Sequence, residues 1–243
     1  MKGEKLKFNK KEWSVTKIDR SETVSWIKGR HYAKRMPSIT YAFGLFKNGI
    51  INGVCTFGTP PSHTLLKGIA GEKWKKNVIE LNRLTCVNIP NAASFLVGRS
   101  LRLLPKPSIV VSYADTKVNH IGYVYQACNF IYTGTTKPIL DPMVKGLEHQ
   151  HHATYAHGLN NQQLIEKFGD LLYWKQRSIK HRYIKIIAIK KQNKEILKDF
   201  KYETFSYPKG IAAETKFEFE KVETQTYINW LGEQTEAFKI GTL

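Results

Sequence analysis

Apolar residues in this chain occur in short runs separated by glycine, proline and polar residues, a pattern typical of alternating strands and helices. The pair Asn48-Gly49 predicts a tight hairpin turn, because both residues readily adopt positive φ. Alternating or continuous apolar runs predict strands at 39–46, 51–57, 78–87, 109–115, 130–133 and 183–189. Apolar residues three and four apart predict helices at 21–35, 91–104, 164–168 and 195–200, with a further helix around Tyr125.

The order of these elements predicts an α/β fold with a mixed sheet and helices on both faces. A helix and a two-stranded hairpin are followed by strand, helix, strand, helix and strand. This order matches the Gcn5-related N-acetyltransferase (GNAT) fold, in which two central strands splay apart and a group donor enters the cleft. We expect a GNAT-like domain over residues 1–210 and an acidic, polar C-terminal extension over residues 211–243. Residues 138–157 are predicted to be irregular.

The net charge of +18 narrows the choice of partner. Residues 211–243 hold three of the 38 basic residues but six of the 20 acidic residues, so the positive charge is concentrated in the first 210 residues. A surplus of this size favours contact with a phosphate backbone, and nucleic acid is therefore the expected partner. A protein that is merely basic, without a nucleic-acid partner, is the alternative.

The sequence contains no apolar run near the roughly 18 residues that a membrane-spanning helix requires, and no N-terminal signal segment is recognisable. We therefore expect no membrane partner and a cytoplasmic location. The three cysteines, Cys55, Cys86 and Cys128, lie in apolar contexts without CxxC spacing. An odd number of such cysteines predicts reduced, buried thiols rather than disulfides.

Residues 148–152 form a histidine-rich cluster, with His157 nearby. The spacing matches no zinc-binding pattern, and the stretch lacks helical periodicity. We therefore predict no metal site there and expect these histidines to face nucleic acid from a basic loop.

The strand that ends at Asp115 is the most informative part of the sequence for chemistry. A carboxylate at the C-terminal end of a buried strand, facing tyrosines from the next helix, is a common way to build a reaction site in an α/β sheet. Tyr125 lies on that helix, and its hydroxyl is suited to donate a proton or to orient a carbonyl group. Tyr123 is the competitor, but residues two apart on a helix point to different faces, and we choose Tyr125.

Arg83 and the pair His31-Tyr32 complete the candidate site. Alternation in the segment 80–84 puts Arg83 on the same face as Leu81, which is otherwise the core face. A buried guanidinium needs a partner, and we expect it to pair with Asp115, either as a structural ion pair or as a clamp for substrate. His31 and Tyr32 close the first helix, where the tyrosine ring either stacks on an extruded base or is a half-buried helix end.

The donor side of the predicted cleft is less distinctive. The turn before the 91–104 helix has small residues but no glycine-rich fingerprint for a pyrophosphate. Asn91 and Ser94 at the helix start favour an anion, and they are our candidates for cofactor binding.

Taken in order, these segments resemble the Mom family of bacteriophage DNA-modification proteins. The resemblance runs over residues 26–210 and rests on His31-Tyr32 and on segments 80–84, 112–115, 120–134, 180–183 and 207–210. It implies an enzyme that converts adenine in double-stranded DNA to N6-carbamoylmethyl (acetamido) adenine, which protects the DNA from restriction in the cytoplasm of a bacterial host. The family's functional residues map onto His31, Tyr32, Arg83, Asp115 and Tyr125.

The resemblance also implies a mechanism. The enzyme would extrude adenine from the duplex, Asp115 would orient the N6 amine or take its proton, and Arg83 would anchor the base or the donor. The donor stays open between an acyl-coenzyme A and another acyl or glycyl donor, and iron is an alternative cofactor. Two other functions stay open: a coenzyme A-dependent N-acyltransferase that acts on a small-molecule or protein amine, and a catalytically inactive DNA-binding accessory protein.

Overall fold

The structure, a computed structural model, describes residues 8–150, 152–210 and the backbone of 221–223. Its strands are β1 Trp13–Lys17, β2 Tyr41–Lys47, β3 Ile50–Gly58, β4 Val78–Cys86, β5 Ser108–Asp115, β6 Ile131–Thr135, β7 Leu140–Val144, β8 Leu172–Gln176, β9 Lys180–Ile187 and β10 Lys221–Glu223. Its α-helices are α1 Val24–Arg30, α2 His63–Gly68, α3 Ala92–Leu103, α4 Tyr123–Ala127, α5 Ala153–Ala156, α6 Asn161–Phe168 and α7 Lys190–Asp199.

The described residues divide into two units. The first comprises residues 8–135 and 180–210, and the second comprises 136–150, 152–179 and 221–223. The segment 136–179 is thus an insertion between two strands of the first unit, which the predicted division did not separate. The boundary predicted at residue 210 remains a prediction, because residues 211–220 and 224–243 lie outside the described part of the chain.

The first unit is built on a seven-stranded sheet in the order β1-β2-β3-β4-β5-β9-β6. Its first four strands are antiparallel neighbours, whereas β4 and β5 run parallel. Pairing between β4 and β5 covers only Val78–Glu80 and Ile109–Val111, although both strands continue beyond it. The two strands therefore part at their C-terminal ends. Together with the strand order, this parting gives the GNAT-like fold that the sequence predicted.

Helices cover both faces of this sheet, as predicted. On one face α3 and Tyr125 of α4 pack on a core that includes Phe43, Phe57 and Val110. On the other face, a second cluster contains Ile69, Ile109 and Ile196, which come from α2 and its C-cap, β5 and α7. Successive residues of β5 therefore alternate between two apolar cores, which explains why its sequence is a continuous apolar run.

The second unit contains a three-stranded sheet in the order β10-β8-β7. The prediction that residues 138–157 are irregular is wrong, because they include β7 and α5. Pro142 argued against a strand here, because proline donates no backbone hydrogen bond. It is tolerated because β7 is an edge strand. Leu164, Leu172 and Trp174 form the buried core of this unit.

The first helix differs from its prediction. The 21–35 segment begins with a 3-10 turn, and α1 ends at Arg30 because His31 adopts extended backbone geometry. Asp19, rather than Ser21, caps the segment, since its side chain accepts the Ser21 backbone N–H at 2.8 Å. Strands β1 and β8 and helix α2 were not predicted. No helix within the described ranges is long and apolar enough to cross a membrane.

Gly122 offers a test of packing around β9. It has φ +82°, and an added Cβ would lie 2.4 Å from the ring of the buried Tyr183. We predict that Gly122→Ala lowers the free energy of unfolding by about 3 kcal/mol or more, since it combines backbone strain with overpacking. Gly29 in α1 is the matched control: an added Cβ meets nothing within 4 Å, and Gly29→Ala should stabilise by about 0.5–1 kcal/mol. Urea denaturation measures both, and equal effects would contradict the prediction.

Candidate active site

A pocket of about 130 Å³ opens where β4 and β5 part. All five residues that the sequence singled out for chemistry lie in its lining. The lining residues are His31, Tyr32, Glu80, Leu81, Asn82, Arg83, Leu84, Tyr113, Asp115, Val118, His120, Tyr125 and Lys180. The pocket therefore brings together residues from the loop after α1, from β4, from β5 and from α4.

A β-bulge in β4 aims the strand's side chains at the pocket. Leu81 and Arg83 pair with the consecutive residues Phe57 and Thr56, which leaves Asn82 as the extra residue. Glu80 and Arg83, three residues apart, would point to opposite faces of a regular strand, and the extra residue restores them to one side. The sequence-based alternation, which placed Arg83 with Leu81 on the core face, is wrong for this reason.

The Asn82 side chain fixes the bulge from both sides. Its amide group donates to the carbonyl oxygen of Ser38 at 2.7 Å, and its oxygen accepts from the hydroxyl of Thr56 at 2.7 Å. These bonds tie β4 to β3 and to the segment that follows the first helix. These hydrogen bonds hold the bulge in place, so it is a fixed part of the pocket structure.

Backbone carbonyl groups hold the Arg83 guanidinium. Nε and Nη2 donate to the carbonyl oxygen of Arg35 at 3.2 and 3.0 Å, and Nη1 donates to that of Asn82 at 2.6 Å. The predicted ion pair with Asp115 is wrong, because these carbonyl groups satisfy the guanidinium and β5 has already parted from β4. Two of its five N–H groups remain for a ligand.

Asp115 has two other partners. One oxygen accepts from the backbone N–H of Lys117 at 2.9 Å, which caps the short turn after β5. The other oxygen lies 3.7 Å from Nζ of Lys180, on the neighbouring strand β9. The carboxylate is thus fixed in orientation at the mouth of the pocket.

His31 and Tyr32 lie in the loop after α1 and stack on each other, with ring centroids 4.4 Å apart. Burial and the nearby Arg83 charge lower the pKa of His31 to about 4, so the ring is neutral at neutral pH. Its Nδ1 accepts from the backbone N–H of Ala33 at 3.1 Å, which leaves the proton on Nε2. Tyr32 is 63% exposed, and its ring is available to stack on a ligand.

Tyr125 lies inside the pocket wall, whereas Tyr123 points outward with 63% of its surface exposed. The orientation predicted for the two tyrosines is therefore correct. Burial raises the pKa of Tyr125, and the nearby Ser112 hydroxyl offsets this rise only in part. The phenol thus keeps its proton at neutral pH and is a hydrogen-bond donor.

Glu80 is the main pocket residue that the sequence analysis missed. Burial raises its pKa to about 7, and the charges of Lys180 and Arg83 oppose the rise. A carboxyl group with this pKa exists in both protonation states near neutrality, which suits it to accept and return a proton. The signal was present, since Glu80 opens the 80–84 segment, but only the bulge shows that it shares a pocket with Arg83.

His120 and Tyr113 are further lining residues that the sequence did not single out. Burial lowers the pKa of His120, although Asp115 opposes this shift, and burial raises the pKa of Tyr113. Both side chains are therefore held mainly in their neutral forms. Among charged lining residues, this leaves Asp115, Arg83 and Lys180 to set the polarity of the pocket.

A second, larger cavity of about 860 Å³ runs along α3. The cofactor candidates Asn91 and Ser94 line this cavity rather than the small pocket. Asn91 adopts left-handed geometry with φ 68°, and the Ser94 hydroxyl donates to its carbonyl oxygen at 3.1 Å. The role in cofactor binding predicted for these two residues stays a prediction.

The histidine and cysteine residues form no metal-binding cluster in the described ranges: no group of three or more His, Cys, Asp or Glu side chains there is arranged to hold an ion. Cys55, Cys86 and Cys128 are free thiols, as the sequence predicted, although the last two are only partly buried. Burial raises the pKa values of Cys86 and Cys128 to about 11, which makes both poor nucleophiles.

Comparison with known proteins identifies the family that this chain matches. The model of the Mom protein family matches residues 12–209. The methylcarbamoylase Mom of Escherichia phage Mu is 26% identical over 140 residues, and the match spans 55% of this chain and 58% of that protein.

Solved structures that resemble this chain include N-acetyltransferases. One from Staphylococcus aureus Mu50 has a TM-score of 0.40 at 13% identity, covering 72% of this chain and 98% of that one. The polyamine N-acetyltransferase of Drosophila melanogaster has a TM-score of 0.40 at 12% identity, covering 72% of this chain and 100% of that one.

The shifted pKa of Glu80 predicts a pH-dependent effect on stability. Because the folded protein binds this proton more tightly than the unfolded chain does, the stabilisation from Glu80 is complete below about pH 4.5 and is lost as the pH rises through about 7. Glu80→Gln has no charge to bury. We predict that the variant gains about 2 kcal/mol of stability relative to wild type between pH 5 and pH 8.

Chemical denaturation at the two pH values measures this gain. The control is Glu203→Gln, which removes an exposed carboxylate. The difference in unfolding free energy between this variant and wild type should be the same at both pH values. A Glu80→Gln difference that stays constant, or shrinks, between pH 5 and pH 8 would show that the carboxyl group is not desolvated in the folded protein.

Proposed function

This chain belongs to the Mom protein family, and we propose that it is a phage DNA-modification enzyme that converts adenine in double-stranded DNA to N6-carbamoylmethyl (acetamido) adenine. The modification would protect the DNA from restriction. The observation that carries the proposal is that one pocket gathers all five residues of the family's functional set, at the point where β4 and β5 part. The match to a phage methylcarbamoylase supports the same chemistry.

The size of the pocket supports extrusion of a single base. A volume of about 130 Å³ is below the range of roughly 300–1,000 Å³ that accommodates whole drug-sized ligands, so only a reacting fragment enters. The N6 amine of a paired adenine is shielded inside the duplex, and enzymes that modify bases take them out of the stack. Tyr32, exposed at the rim and supported by His31, would stack on the extruded ring.

In this proposal Glu80 accepts a proton from the amine, and Asp115 orients the amine. The N6 amine is a weak nucleophile because its lone pair is delocalised into the ring, and loss of an N6 proton as the new C–N bond forms makes attack easier. Glu80 would accept that proton, since its pKa of about 7 matches the working pH. Asp115, fixed by Lys117 and Lys180, would accept a hydrogen bond from the amine and orient it.

Arg83, Tyr125 and His31 would act as hydrogen-bond donors. The two remaining N–H groups of Arg83 would anchor the base or a carbonyl oxygen of the donor. Tyr125 would donate from its protonated phenol to the leaving group or to that carbonyl oxygen. His31, neutral with its proton on Nε2, adds a donor beside the stacked ring. Fixed donors of this kind stabilise charge that develops during group transfer.

The donor would approach along α3. Asn91 and Ser94, at the first turn of this helix, would hold phosphate groups if the donor is an acyl-coenzyme A, because a helix N-terminus favours an anion. Attack of N6 on the acyl carbon of such a donor would expel coenzyme A as its thiol and give an N6-amide. The carbamoylmethyl group bonds N6 through its methylene carbon, so it would need either rearrangement of an isomeric glycyl amide or a donor that carries a leaving group on that carbon. Another acyl or glycyl donor would meet the same helix start.

The experiment that tests the function is expression of the chain in bacteria, followed by nucleoside mass spectrometry of the DNA. We predict a deoxyadenosine whose mass is raised by one carbamoylmethyl group. Asp115→Asn keeps the oxygen that caps the turn but loses the charge, so it should abolish the modified nucleoside while DNA affinity changes less than about twofold. Asp170→Asn, at an exposed carboxylate, is the control and should modify DNA as wild type does.

The same experiment separates the alternatives. Unmodified deoxyadenosine with intact DNA binding would indicate the inactive accessory protein. Unmodified DNA with an acylated small molecule or protein would indicate the N-acyltransferase. Equal loss of modification and DNA binding in Asp115→Asn would mean that Asp115 is structural.

Tyr32 gives a second prediction. Stacking on an extruded base contributes about 1–3 kcal/mol, so Tyr32→Ala should lower the yield of modified adenine by about tenfold or more, whereas Tyr32→Phe should retain most of it. The yield is read from the same nucleoside digests. If phenylalanine were as damaging as alanine, the hydroxyl rather than the ring face would be the functional group.

A further inference from the structure

The large cavity along α3, which at Asn91 and Ser94 is the proposed approach of the donor, also has a strongly basic side to which the proposed reaction assigns no role. Among the residues that the structure describes, five cationic side chains and no acidic side chain line it. We define these five as the basic groove: Lys10, Arg99, Arg102, Lys106 and Lys185.

The cations of the basic groove have no counter-ion in the described part of the chain. None of the five forms an ion pair there, whereas Lys47, Lys67, Lys73 and Lys75 elsewhere each lie near a glutamate. Arg99 lies over the ring of Phe95 at 5.3 Å, which holds the guanidinium plane without using its N–H groups. Keeping five like charges together costs electrostatic energy, and an anionic ligand would remove that cost.

Helix α3, which forms one wall of the groove, is as long as a short run of nucleic-acid backbone. Helix α3 has 12 residues and is therefore about 18 Å long. One strand of duplex DNA carries a phosphate every 3.4 Å or so along the helix axis, and about five phosphates cover that length. Arg99 and Arg102 lie on α3, three residues or about 4.5 Å apart along its axis, and the other three cations come from the turn before β1, the loop after α3 and strand β9.

The groove and the pocket share their supporting elements. Tyr125 of α4 lines the pocket, and Ala127 at the end of the same short helix lines the groove. Lys180 of β9 lines the pocket, and Lys185 lines the groove, five residues or about 17 Å further along the strand. A duplex with one base in the pocket is long enough to reach the groove.

We propose that the basic groove binds the phosphodiester backbone of the DNA whose base enters the pocket, as a docking surface separate from the reaction site. The inference rests on the proposed function for its partner. Phosphate is the chemistry that the groove recognises, and a phosphorylated small molecule is the other source of it. DNA is favoured because the five cations come from four separate segments around a cavity of about 860 Å³, more than one phosphate group would engage, and belong to a chain with net charge +18.

The experiment measures the affinity of the full chain for a fluorescent DNA duplex by anisotropy, over a range of salt concentrations. Each phosphate contact contributes about −0.9 to the slope of log K against log salt concentration. The double variant Arg99→Ala, Arg102→Ala should therefore make the slope shallower by about 2 and weaken binding about tenfold or more. Both side chains are exposed, so folding is not expected to suffer.

Lys191→Ala, Lys194→Ala is the matched control. It removes the same charge from two exposed residues with the same spacing on a helix, α7, away from the groove lining. The control should change the slope by less than about 0.5. A third variant, Arg99→Lys, Arg102→Lys, keeps the charges and should keep the slope. Thermal unfolding of every variant confirms the fold.

Three results would overturn the proposal. An unchanged slope in the groove variant would exclude these contacts, and equal losses in groove and control variants would indicate diffuse attraction. Loss of ADP binding with unchanged DNA binding would assign the groove to a phosphorylated small molecule. Failure of the proposed function is distinguishable, because unaltered deoxyadenosine in bacterial DNA would leave the anisotropy result intact.

Discussion

The structure depends on where β4 stops pairing with β5. After three paired residues on each strand, the backbone hydrogen bonds between them end, and the space that a continuous sheet would fill becomes the pocket. The bulge at Asn82 lies just beyond the paired residues and turns both Glu80 and Arg83 toward the gap. A side-chain bond bridges the opening, from the hydroxyl of Ser112 to the carbonyl oxygen of Leu81 at 3.0 Å.

Burial at this opening decides the charge states of the pocket. Desolvation keeps Tyr125 protonated and His31 neutral, and the Arg83 charge adds to the effect at His31; desolvation also raises the pKa of Glu80 to about 7 against the attraction of Lys180 and Arg83. Arg83 stays charged because its guanidinium donates hydrogen bonds to backbone carbonyl groups. A small pocket thus contains a neutral donor, a titrating carboxyl group and a fixed cation, the set that proton transfer and charge stabilisation require.

The sequence predicted the GNAT-like sheet because the signals for its strands and turns lie within short segments of the chain. Continuous apolar residues mark β5 as buried on both faces, and Asn48-Gly49 fixes the hairpin with positive φ at both residues. The sequence also identified the pocket residues, through a family resemblance. It could not predict that Arg83 binds the carbonyl group of Arg35, since that contact depends on a loop 48 residues away. Nor could it assign a role to Glu80, because strand alternation says nothing about a bulge. Edge strand β7 was missed because its proline contradicts local strand propensity.

The pocket and the basic groove lie at different positions on the first unit, and we propose separate roles for them in the reaction and in DNA binding. The account's central claim is that an adenine leaves the duplex and enters the gap between β4 and β5. A crystal structure of the chain with a DNA duplex measures this most directly. We predict an adenine rotated out of the helix, its ring against Tyr32 and its N6 within about 3.2 Å of the Glu80 carboxyl group. An adenine that remains stacked in the duplex, with the gap closed by protein side chains, would contradict the account.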